Sequence, residues 1–331
     1  MLQIVGLTLI VIFIGCAVFY FFGSAATLDK EDYKRQVEYE APNQSFQGGD
    51  TLRVITYNIG YLSGMSNNRS VERKPDIFDD NLHASKVLIS RYQPDLVGFQ
   101  EIDFEAERSF FVNQADQLGY SMPFYKGFHS VNWDKRYVPF PFGALSNHFG
   151  KMVSGQSILS RYDLKNPDHI VLSKPQNSPF YYNAFYLDRL IQTCDWVVGD
   201  KVVKVMNLHL EAFDKETRSS QAERVKEEYL RFYEEFPVLI MGDFNSLADW
   251  MKKDAMQLIM DAPEITSAID RNQYTTDSLA CFTFSSEKPS YMIDYILYNQ
   301  SFIEKVEAKV LTEAGQISDH LPVLFDFKFK Q

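Results

Sequence analysis

Polar side chains suited to hydrolytic chemistry recur where apolar runs of this chain end. Residues 238–241 (Val-Leu-Ile-Met) have the length and composition of a buried strand, and Gly242 lets the backbone turn so that Asp243 and Asn245 emerge at its end. Side chains two residues apart on a strand point the same way, which places a carboxylate beside an amide. Taken alone, this pair more often marks a turn than a site.

Six strand ends that carry such residues together indicate the hydrolysis of a phosphodiester. Hydrolysis of a phosphodiester needs hard oxygen ligands for Mg²⁺, amides that hold phosphate oxygens, and a His–Asp pair that transfers a proton. Each residue by itself has a structural role that is at least as common, such as capping a turn. The set is Asn58, Glu101, Asn207 with His209, Asp243 with Asn245, Asp294, and Asp319 with His320.

The elements that must position these residues alternate between strands and helices, which is typical of a layered α/β sheet. Helices are predicted at residues 79–92, 216–235 and 251–260. Residues 120–150 are rich in aromatic side chains and are predicted to form a long loop that shapes a pocket, touches a membrane or covers a hydrophobic cluster. Strands are predicted at residues 52–60, 95–101, 155–161, 185–190, 192–198, 201–210, 238–241 and 291–297, and from residue 323.

The N-terminal segment differs from the rest of the chain. Residues 2–22 are almost wholly apolar and long enough to cross a bilayer as a helix. We expect residues 1–26 to be an uncleaved anchor; the alternatives are a signal peptide cleaved near residues 24–26, which would leave a secreted protein, and lipidation at Cys16. Residues 27–50 are interpreted as a polar tether and residues 51–331 as the catalytic domain, which we expect to be exported and monomeric.

Composition excludes several classes of protein. The chain has 331 residues, of which 45% are hydrophobic, so global disorder is excluded. A net charge of −11 argues against a surface that tracks duplex DNA, although a local basic groove is compatible with it. The three cysteines have no metal-binding spacing; Cys194 and Cys281 are interpreted as two inert buried thiols, with one disulfide as the alternative.

The ordered motifs resemble those of the endonuclease/exonuclease/phosphatase superfamily. That resemblance implies a deoxyribonuclease-like four-layered α/β sandwich, in which two mixed β-sheets are flanked by helices and the active site lies at one edge. The matching segments span residues 52–327 and follow the order of the family. They are Thr56-Tyr57-Asn58, Gln100-Glu101, Ile158-Leu159-Ser160-Arg161, Asn207-Leu208-His209, Gly242-Asp243-Phe244-Asn245, Ile293-Asp294-Tyr295-Ile296 and Ser318-Asp319-His320-Leu321-Pro322-Val323.

The resemblance also implies a metal site. Glu101 would be the principal ligand of Mg²⁺, with Mn²⁺ as the alternative ion, and Asn58 would lie beside it. Asp319 would contribute to the same site. Such a cation polarises the phosphoryl oxygen and stabilises the charge that builds up during the reaction.

A second group of residues would move protons and hold phosphate. The resemblance implies that His320, oriented by Asp294, activates the attacking water. Asp243 is a second acid near that water, and the role of general base stays open between Asp243 and His320. Asn245, Asn207 and His209 would hold or protonate phosphate oxygens.

Two further features bear on the substrate class. Apurinic endonucleases place an acid two residues after the first Asn, where this chain has Gly60, which disfavours a role in abasic-site repair. Residues 207–214 resemble the corresponding segment of neutral sphingomyelinases. Together with the apolar leader, this favours a phospholipid or sphingolipid headgroup phosphodiester over nucleic acid. The alternatives are a membrane-tethered or secreted nonspecific nuclease and a catalytically silent binding protein with the same fold.

Overall fold

The structure, a computed structural model, describes residues 2–247 and 254–331, and in these residues the strands form two mixed sheets. The first sheet has seven strands in the order β1 (Lys34–Glu38), β4 (Lys126–Val138), β5 (Gly150–Ser160), β3 (Leu96–Asp103), β2 (Leu52–Asn58), β13 (Val323–Phe329) and β12 (Ile303–Val310). The second has six strands in the order β10 (Ile265–Ser267), β11 (Asp294–Asn299), β9 (Val238–Asp243), β8 (Lys201–His209), β7 (Leu190–Val198) and β6 (Asp163–Val171).

Helices flank the two sheets, as the sequence predicts. Those of the catalytic body are α2 (Pro75–Tyr92), α3 (Gln114–Ser121), α4 (Phe180–Phe185), α5 (Lys215–Leu230), α6 (Ala255–Met260) and α7 (Arg271–Thr276). Helix α5 begins where the Asp214 carboxylate accepts a hydrogen bond from the backbone N–H of Thr217, a typical N-cap. The predicted helices at residues 79–92 and 216–235 are confirmed with shifted ends. The predicted helix at residues 251–260 is present as α6 from Ala255, and residues 251–253 lie outside the described part of the chain.

The inner faces of the two sheets pack against each other and bury one continuous apolar core. Val54, Val97, Met206 and Ile240, which come from both sheets, are each fully or almost fully buried. Burial on both faces explains why the central strands read as unbroken apolar runs rather than as alternating patterns. This packing holds the ends of β2, β3, β8 and β9 at one edge of the sandwich.

The interpretation of residues 27–50 as a tether is wrong for its first half. Strand β1 pairs antiparallel with β4, with Lys34 opposite Ser130 and Glu38 opposite Lys126, and thus forms an edge of the first sheet. Its sequence, Lys-Arg-Gln-Val-Glu, buries only Val37. Charged edge strands of this kind prevent pairing with other chains, and the same polarity makes them read as linkers.

Two other predictions about secondary structure are wrong. Residues 120–150 do not form a long loop, because they contain the 13-residue strand β4, whose residues from Gly127 to Asp134 are buried. Residues 185–190 are not a strand: helix α4 ends at Phe185, and β7 begins at Leu190. In both segments, aromatic residues obscure the boundaries, since they suit strands and buried loops alike. Cys194 and Cys281 are free and buried, which confirms the interpretation of inert thiols.

Helix α1 (Leu2–Gly23) contains the only candidate membrane span in the described residues, Gln3–Gly23, with a mean hydropathy of 2.7. Length and composition suit a transmembrane anchor and an N-terminal signal segment equally.

Candidate active site

Strand register brings the predicted polar residues of the second sheet together. Asp243 at the end of β9 lies opposite Asp294 at the start of antiparallel β11. On its other side, Asp243 lies level with His209 at the end of parallel β8. Side chains of directly opposed residues point to the same face of a sheet, so the three converge. Gly242 is required beside them, since a Cβ at that position would lie 1.9 Å from the carbonyl oxygen of Leu208.

His320 and Asp294 form a buried hydrogen-bonded pair. Nδ1 of His320 donates to Oδ2 of Asp294 over 2.9 Å, and both side chains are almost inaccessible to solvent. Burial by itself lowers the pKa of His320, but the carboxylates of Asp294 and Asp243 outweigh burial and raise that pKa well above its usual value. The imidazole is therefore protonated at neutral pH, with Nε2 facing the site.

Asp243 lies at the centre of the cluster. Its Oδ2 accepts a hydrogen bond from Nδ2 of Asn58 over 3.0 Å, and its Oδ1 accepts one from the backbone N–H of Asn245 over 2.9 Å. Oδ2 also lies 3.7 Å from Nε2 of His320 and 3.3 Å from Nε2 of His209. Burial raises the pKa of Asp243 to about 7, although the charge of His320 and these two hydrogen bonds oppose the shift. A carboxylate with this pKa is suited to exchange a proton near neutral pH.

Asn245 and His209 border Asp243. The Asn245 side chain donates to the carbonyl oxygen of Leu210 over 3.0 Å, and its backbone has a φ of 48°, in the left-handed region that Asn tolerates. Burial, followed by the charges of Arg189 and His320, lowers the pKa of His209 well below its usual value. His209 is therefore a neutral imidazole between two acids, and it donates or accepts a hydrogen bond without adding charge.

Glu101 forms the second half of the cluster, on the first sheet. The register of β3 against β5 shifts between Phe99 and Ile102, and Glu101 in this irregularity has a φ of 50°. A bulge of this kind turns a side chain out of the sheet. Oε2 of Glu101 accepts a hydrogen bond from Nδ2 of Asn67 over 2.9 Å, and the same nitrogen lies 3.4 Å from both carboxylate oxygens of Asp319.

Glu101, Asp319 and Asn58 fit a divalent cation. Burial and then the charge of Asp319 raise the pKa of Glu101, which shows that two acids share a poorly solvated space. Among the described residues, the nearest basic group to the Glu101 carboxylate is Nε2 of His209 at 3.9 Å, and that imidazole is neutral. Carboxylate and amide oxygens are the ligands that Mg²⁺ and Mn²⁺ prefer.

Gly60 makes room for these ligands. Its φ is +53°, and a Cβ would lie 2.7 Å from Oγ of Ser318 and 2.9 Å from Oδ1 of Asp319. Its backbone N–H donates to Oδ1 of Asn58 over 3.1 Å, which orients the amide towards the cluster. An acid at this position would therefore clash with Asp319, so the departure from the apurinic endonucleases has a steric reason.

A second acidic group also has a spacing suited to a metal ion. One ligand atom from each of Asp243, Asp294 and His320 lies within 4.8 Å of the others. Because Nδ1 of His320 already donates to Asp294, and His320 is protonated, this group suits proton transfer better than metal binding.

Asn207 does not belong to the site, so its predicted contact with phosphate is wrong. Its side chain is fully buried between the sheets, where Oδ1 accepts from Nε2 of Gln100 over 2.6 Å and Nδ2 donates to Oε1 of Gln192 over 3.0 Å. Nδ2 also donates to the carbonyl oxygen of Phe99 over 3.1 Å. With its polar atoms already paired, Asn207 links the two sheets.

Sequence reasoning misses Asn67 and a charged group formed by Arg189, Glu211 and Tyr186. The Arg189 side chain is 4% exposed and donates through Nη2 to the Tyr186 hydroxyl over 3.0 Å. Its Nε lies 3.6 Å from Glu211, and neither Nε nor Nη1 has a hydrogen-bond partner among the described residues. The charge of Arg189 acts on both His209 and Glu101. The sequence does contain one indication of the position of Arg189. Arg189 directly precedes β7, and the first residues of β7 pair with the end of β8, where His209 lies.

Comparisons with known proteins agree with this geometry. The sequence model of the endonuclease/exonuclease/phosphatase family matches residues 55–320. A search of curated protein sequences finds no match.

Solved structures share the fold at low sequence identity. A Bacteroides thetaiotaomicron protein of this family is 17% identical with a TM-score of 0.61, and covers 86% of this chain and 100% of its own. The mannosyl-6-phosphatase of Bacteroides thetaiotaomicron is 18% identical with a TM-score of 0.60, and the match covers 84% of this chain and 100% of that protein's chain. The human Nocturnin catalytic domain, bound to sulfate, is 18% identical with a TM-score of 0.56, covering 92% and 100%.

The two sheets, the acids and imidazoles gathered at their common edge, and a family match across most of the chain lead to one conclusion. This chain belongs to the endonuclease/exonuclease/phosphatase family and is a phosphoester hydrolase.

Proposed function

We propose that the protein is a membrane-anchored, divalent-metal-dependent phosphodiesterase that cleaves the headgroup phosphodiester of a phospholipid or sphingolipid. The observation that carries the choice of substrate is that α1 joins the catalytic body without a spacer. The backbone N–H groups of Thr27 and Leu28 donate to the Asp134 carboxylate on β4 over 2.8 and 2.9 Å. A helix that is embedded in a bilayer would thus hold the catalytic body at the membrane surface.

The same contacts favour an uncleaved anchor over a signal peptide. The segment at residues 24–26, the alternative cleavage site, lies against β4: the Ser24 carbonyl accepts from Nζ of Lys135 over 3.2 Å, and the Ala25 carbonyl accepts from the backbone N–H of Arg136 over 2.9 Å. Cleavage there would remove these partners from β4. We therefore expect the mature protein to retain residues 1–26. We further propose that the catalytic domain lies on the extracytoplasmic side.

In the proposed mechanism, Glu101, Asn58 and Asp319 would hold the cation, which would supply Lewis-acid stabilisation of negative charge on the phosphoryl oxygens. Asp243 accepts a proton from the attacking water, because its pKa of about 7 leaves a large ionised fraction at neutral pH. As the water oxygen bonds to phosphorus, the ester bond between phosphorus and the lipid alcohol breaks, and the alcohol leaves with a proton taken from solvent. The carboxylates of Asp294 and Asp243 raise the pKa of His320, which favours His320 as a donor rather than as the base; its Nε2–H would donate to a phosphoryl oxygen, while Asp294 fixes the ring.

The remaining polar residues position the phosphodiester. Neutral His209 and the Asn245 amide border Asp243, where they are within reach of oxygens on the reacting phosphorus. Arg189 brings buried N–H groups, unpaired within the described part of the chain, and a fixed positive charge to the same wall, a combination suited to phosphate oxygens. Contacts beyond these residues determine which headgroup the site accepts.

Parallel assays of the full-length protein test the choice of substrate. The protein, in detergent micelles or nanodiscs, is incubated with sphingomyelin, phosphatidylcholine or plasmid DNA in the presence of Mg²⁺ or EDTA, and released products are quantified. We expect metal-dependent release of a phosphorylated headgroup and little nicking of DNA. DNA cleavage without lipid turnover would reject the lipid substrate and support the nuclease alternative. Metal-dependent ligand binding with no hydrolysis of any substrate would instead support the silent scaffold.

A further inference from the structure

The last turn of α1 packs on an aromatic surface of the catalytic body. The rings of Phe19 and Tyr137 lie 5.9 Å apart in an edge-to-face contact, and Tyr20 and Phe180 make a similar contact at 5.7 Å. Phe185 contacts both Phe19 and Tyr20, each at 6.1 Å. Contacts of this kind fix the direction in which the body leaves the helix.

Large apolar side chains continue outward from this contact into solvent. On α4, Phe180 is 74% exposed and Tyr181 is 58% exposed. At the tip of the hairpin between β4 and β5, Phe142 is 79% exposed and Leu145 is 77% exposed. Single exposed apolar residues are ordinary, but a group that adjoins a hydrophobic helix indicates an interaction surface.

The hairpin is tied to the same end of α1. Tyr137, which contacts Phe19, also hydrogen-bonds through its hydroxyl to Nδ1 of His148 on the far arm of the hairpin over 2.8 Å. The base of the hairpin therefore contacts Phe19 through Tyr137, while α4 contacts Tyr20 through Phe180.

We propose that this interfacial patch, defined as Phe142, Leu145, Phe180 and Tyr181, is embedded in the headgroup region of the bilayer that α1 spans. The proposal rests on the uncleaved anchor of the proposed function. Tyr20 lies three residues before the end of the 22-residue helix, about 4.5 Å along its axis from that end. A ring at this position lies at the depth of the membrane interface, where aromatic residues are enriched, and Phe180 touches that ring.

Charge determines the kind of membrane surface that fits. The protein carries a net charge of −11, so its overall charge does not draw it to anionic lipids, although Lys135 and Arg136 lie at the end of α1. Aromatic and aliphatic side chains bind instead by burying apolar area, which suits a neutral surface such as phosphatidylcholine.

The patch also lies next to the proposed site along the chain. Tyr186 directly follows α4, and its hydroxyl accepts the hydrogen bond from Arg189. The chain therefore runs directly from the patch to Arg189, one of the residues proposed to contact the phosphate.

Site-directed spin labelling of the full chain tests the proposal without relying on hydrolysis. Cys16 is replaced with alanine to remove the exposed thiol, and a nitroxide is attached at Tyr181→Cys in phosphatidylcholine nanodiscs. The matched control is Val306→Cys, at a position that is 52% exposed on β12, at the opposite edge of the first sheet from the strands that meet α1. Five strand spacings separate β4 from β12, roughly 24 Å.

We expect the label at position 181 to be more accessible to oxygen and less accessible to a water-soluble nickel chelate than the label at position 306. Equal accessibility to the chelate at both positions would overturn the proposal, as would recovery of a chain without residues 1–26. A bilayer signature at position 181 together with no lipid turnover would keep the patch and reject the lipid substrate. The two proposals can therefore fail separately.

A functional readout uses the same surface. Tyr181→Ser should decrease turnover of lipid in nanodiscs and leave turnover of the water-soluble diester bis(p-nitrophenyl) phosphate unchanged, because the ring of Tyr181 packs on Phe180 at the surface and not on the catalytic cluster. An equal loss on both substrates, or no loss on lipid, would contradict the role of the patch.

Discussion

Replacing Asp294 with asparagine isolates the contribution of the buried ion pair with His320. Asparagine has nearly the same shape as aspartate, and its side-chain oxygen can still accept the hydrogen bond from Nδ1 of His320, which spans 2.9 Å in the wild type. What the substitution removes is the negative charge that, more than any other group, raises the pKa of His320. The imidazole then loses its proton at a lower pH.

The size of the effect follows from the burial of the pair. The Asp294 side chain is 1% exposed and the His320 side chain is 7% exposed, so solvent screens their interaction little. A hydrogen bond to a charged partner contributes about 1.5–3 kcal/mol and a neutral one about 0.5–1.5 kcal/mol, so the substitution removes about 1–1.5 kcal/mol. With His320 donating from its protonated form in the transition state, this loss lowers kcat/KM by roughly 5- to 13-fold.

The assay combines kinetics with titration. Hydrolysis of bis(p-nitrophenyl) phosphate with saturating Mg²⁺ gives kcat/KM as a function of pH, and NMR of the His320 ring gives its pKa. In Asp294→Asn we expect a lower rate and a His320 pKa that moves down towards about 6.5, the value of an unperturbed histidine. Because the folded pKa of His320 is raised, the pair stabilises the wild type below that pKa, and this stabilisation is lost as pH rises through it.

A matched control separates chemistry from stability. Asp326→Asn removes another buried carboxylate, one that pairs with Arg53 over 2.6 Å at the other end of β2 from Asn58. This variant should lower the melting temperature and leave the rate of the folded protein unchanged. If Asp294→Asn kept a wild-type rate and pH profile, or if both variants lost activity equally, the assignment of His320 as a charged donor would be refuted.

Four further predictions concern other residues. Glu101→Gln should abolish turnover and weaken Mg²⁺ binding in calorimetry. The control Glu223→Gln, which changes an exposed acid on α5, should alter neither turnover nor Mg²⁺ binding. Equal Mg²⁺ binding by both variants would remove Glu101 from the metal site. Metal-free protein should lose thermal stability as pH rises from about 4 to 7, because native Asp243 keeps a proton that the unfolded chain releases near pH 3.9. Asp243→Asn should reduce that loss of stability. An unchanged pH dependence of the melting temperature in this variant would contradict the raised pKa of Asp243. Asn207→Ala should lower the melting temperature while folded protein keeps its kcat, because it leaves the buried Oε1 of Gln192 without a partner at a cost of about 1–3 kcal/mol. A selective loss of kcat would restore the phosphate role. Arg189→Lys keeps a positive charge beside Glu211 but loses the planar guanidinium group, which can donate two parallel hydrogen bonds to a phosphate. This variant should lower kcat/KM for diesters about tenfold or more. An unchanged kcat/KM would exclude Arg189 from the phosphate site.

The polar strand ends can be predicted from the sequence because the physical signal is local. Asp243 is a carboxylate at the end of a buried strand. A turn explains one such residue, but several strands that end in this way indicate a functional site. The pairing of His320 with Asp294 is implied by the family resemblance, and the two side chains meet at 2.9 Å. Strand register then turns separate positions into one cluster, a step that depends only on parallel and antiparallel pairing.

Other features depend on tertiary contacts that a single sequence does not encode locally. Asn207 ends an apolar strand as the site residues do, but its partners Gln100 and Gln192 come from other strands and turn it into a link between sheets. Strand β1 is polar and short, and only its pairing with β4 distinguishes it from a tether. Arg189 escapes notice because residues 185–190 have the composition of a strand, whereas the chain there leaves a helix.

The most direct test of the central claim is ³¹P NMR of the full-length protein in nanodiscs that contain sphingomyelin and phosphatidylcholine. With Mg²⁺ we predict that a lipid phosphodiester signal disappears as a phosphomonoester signal grows, and that EDTA or Glu101→Gln stops the conversion. A diester signal that stays constant with Mg²⁺, from folded protein that retains residues 1–26, would contradict the account.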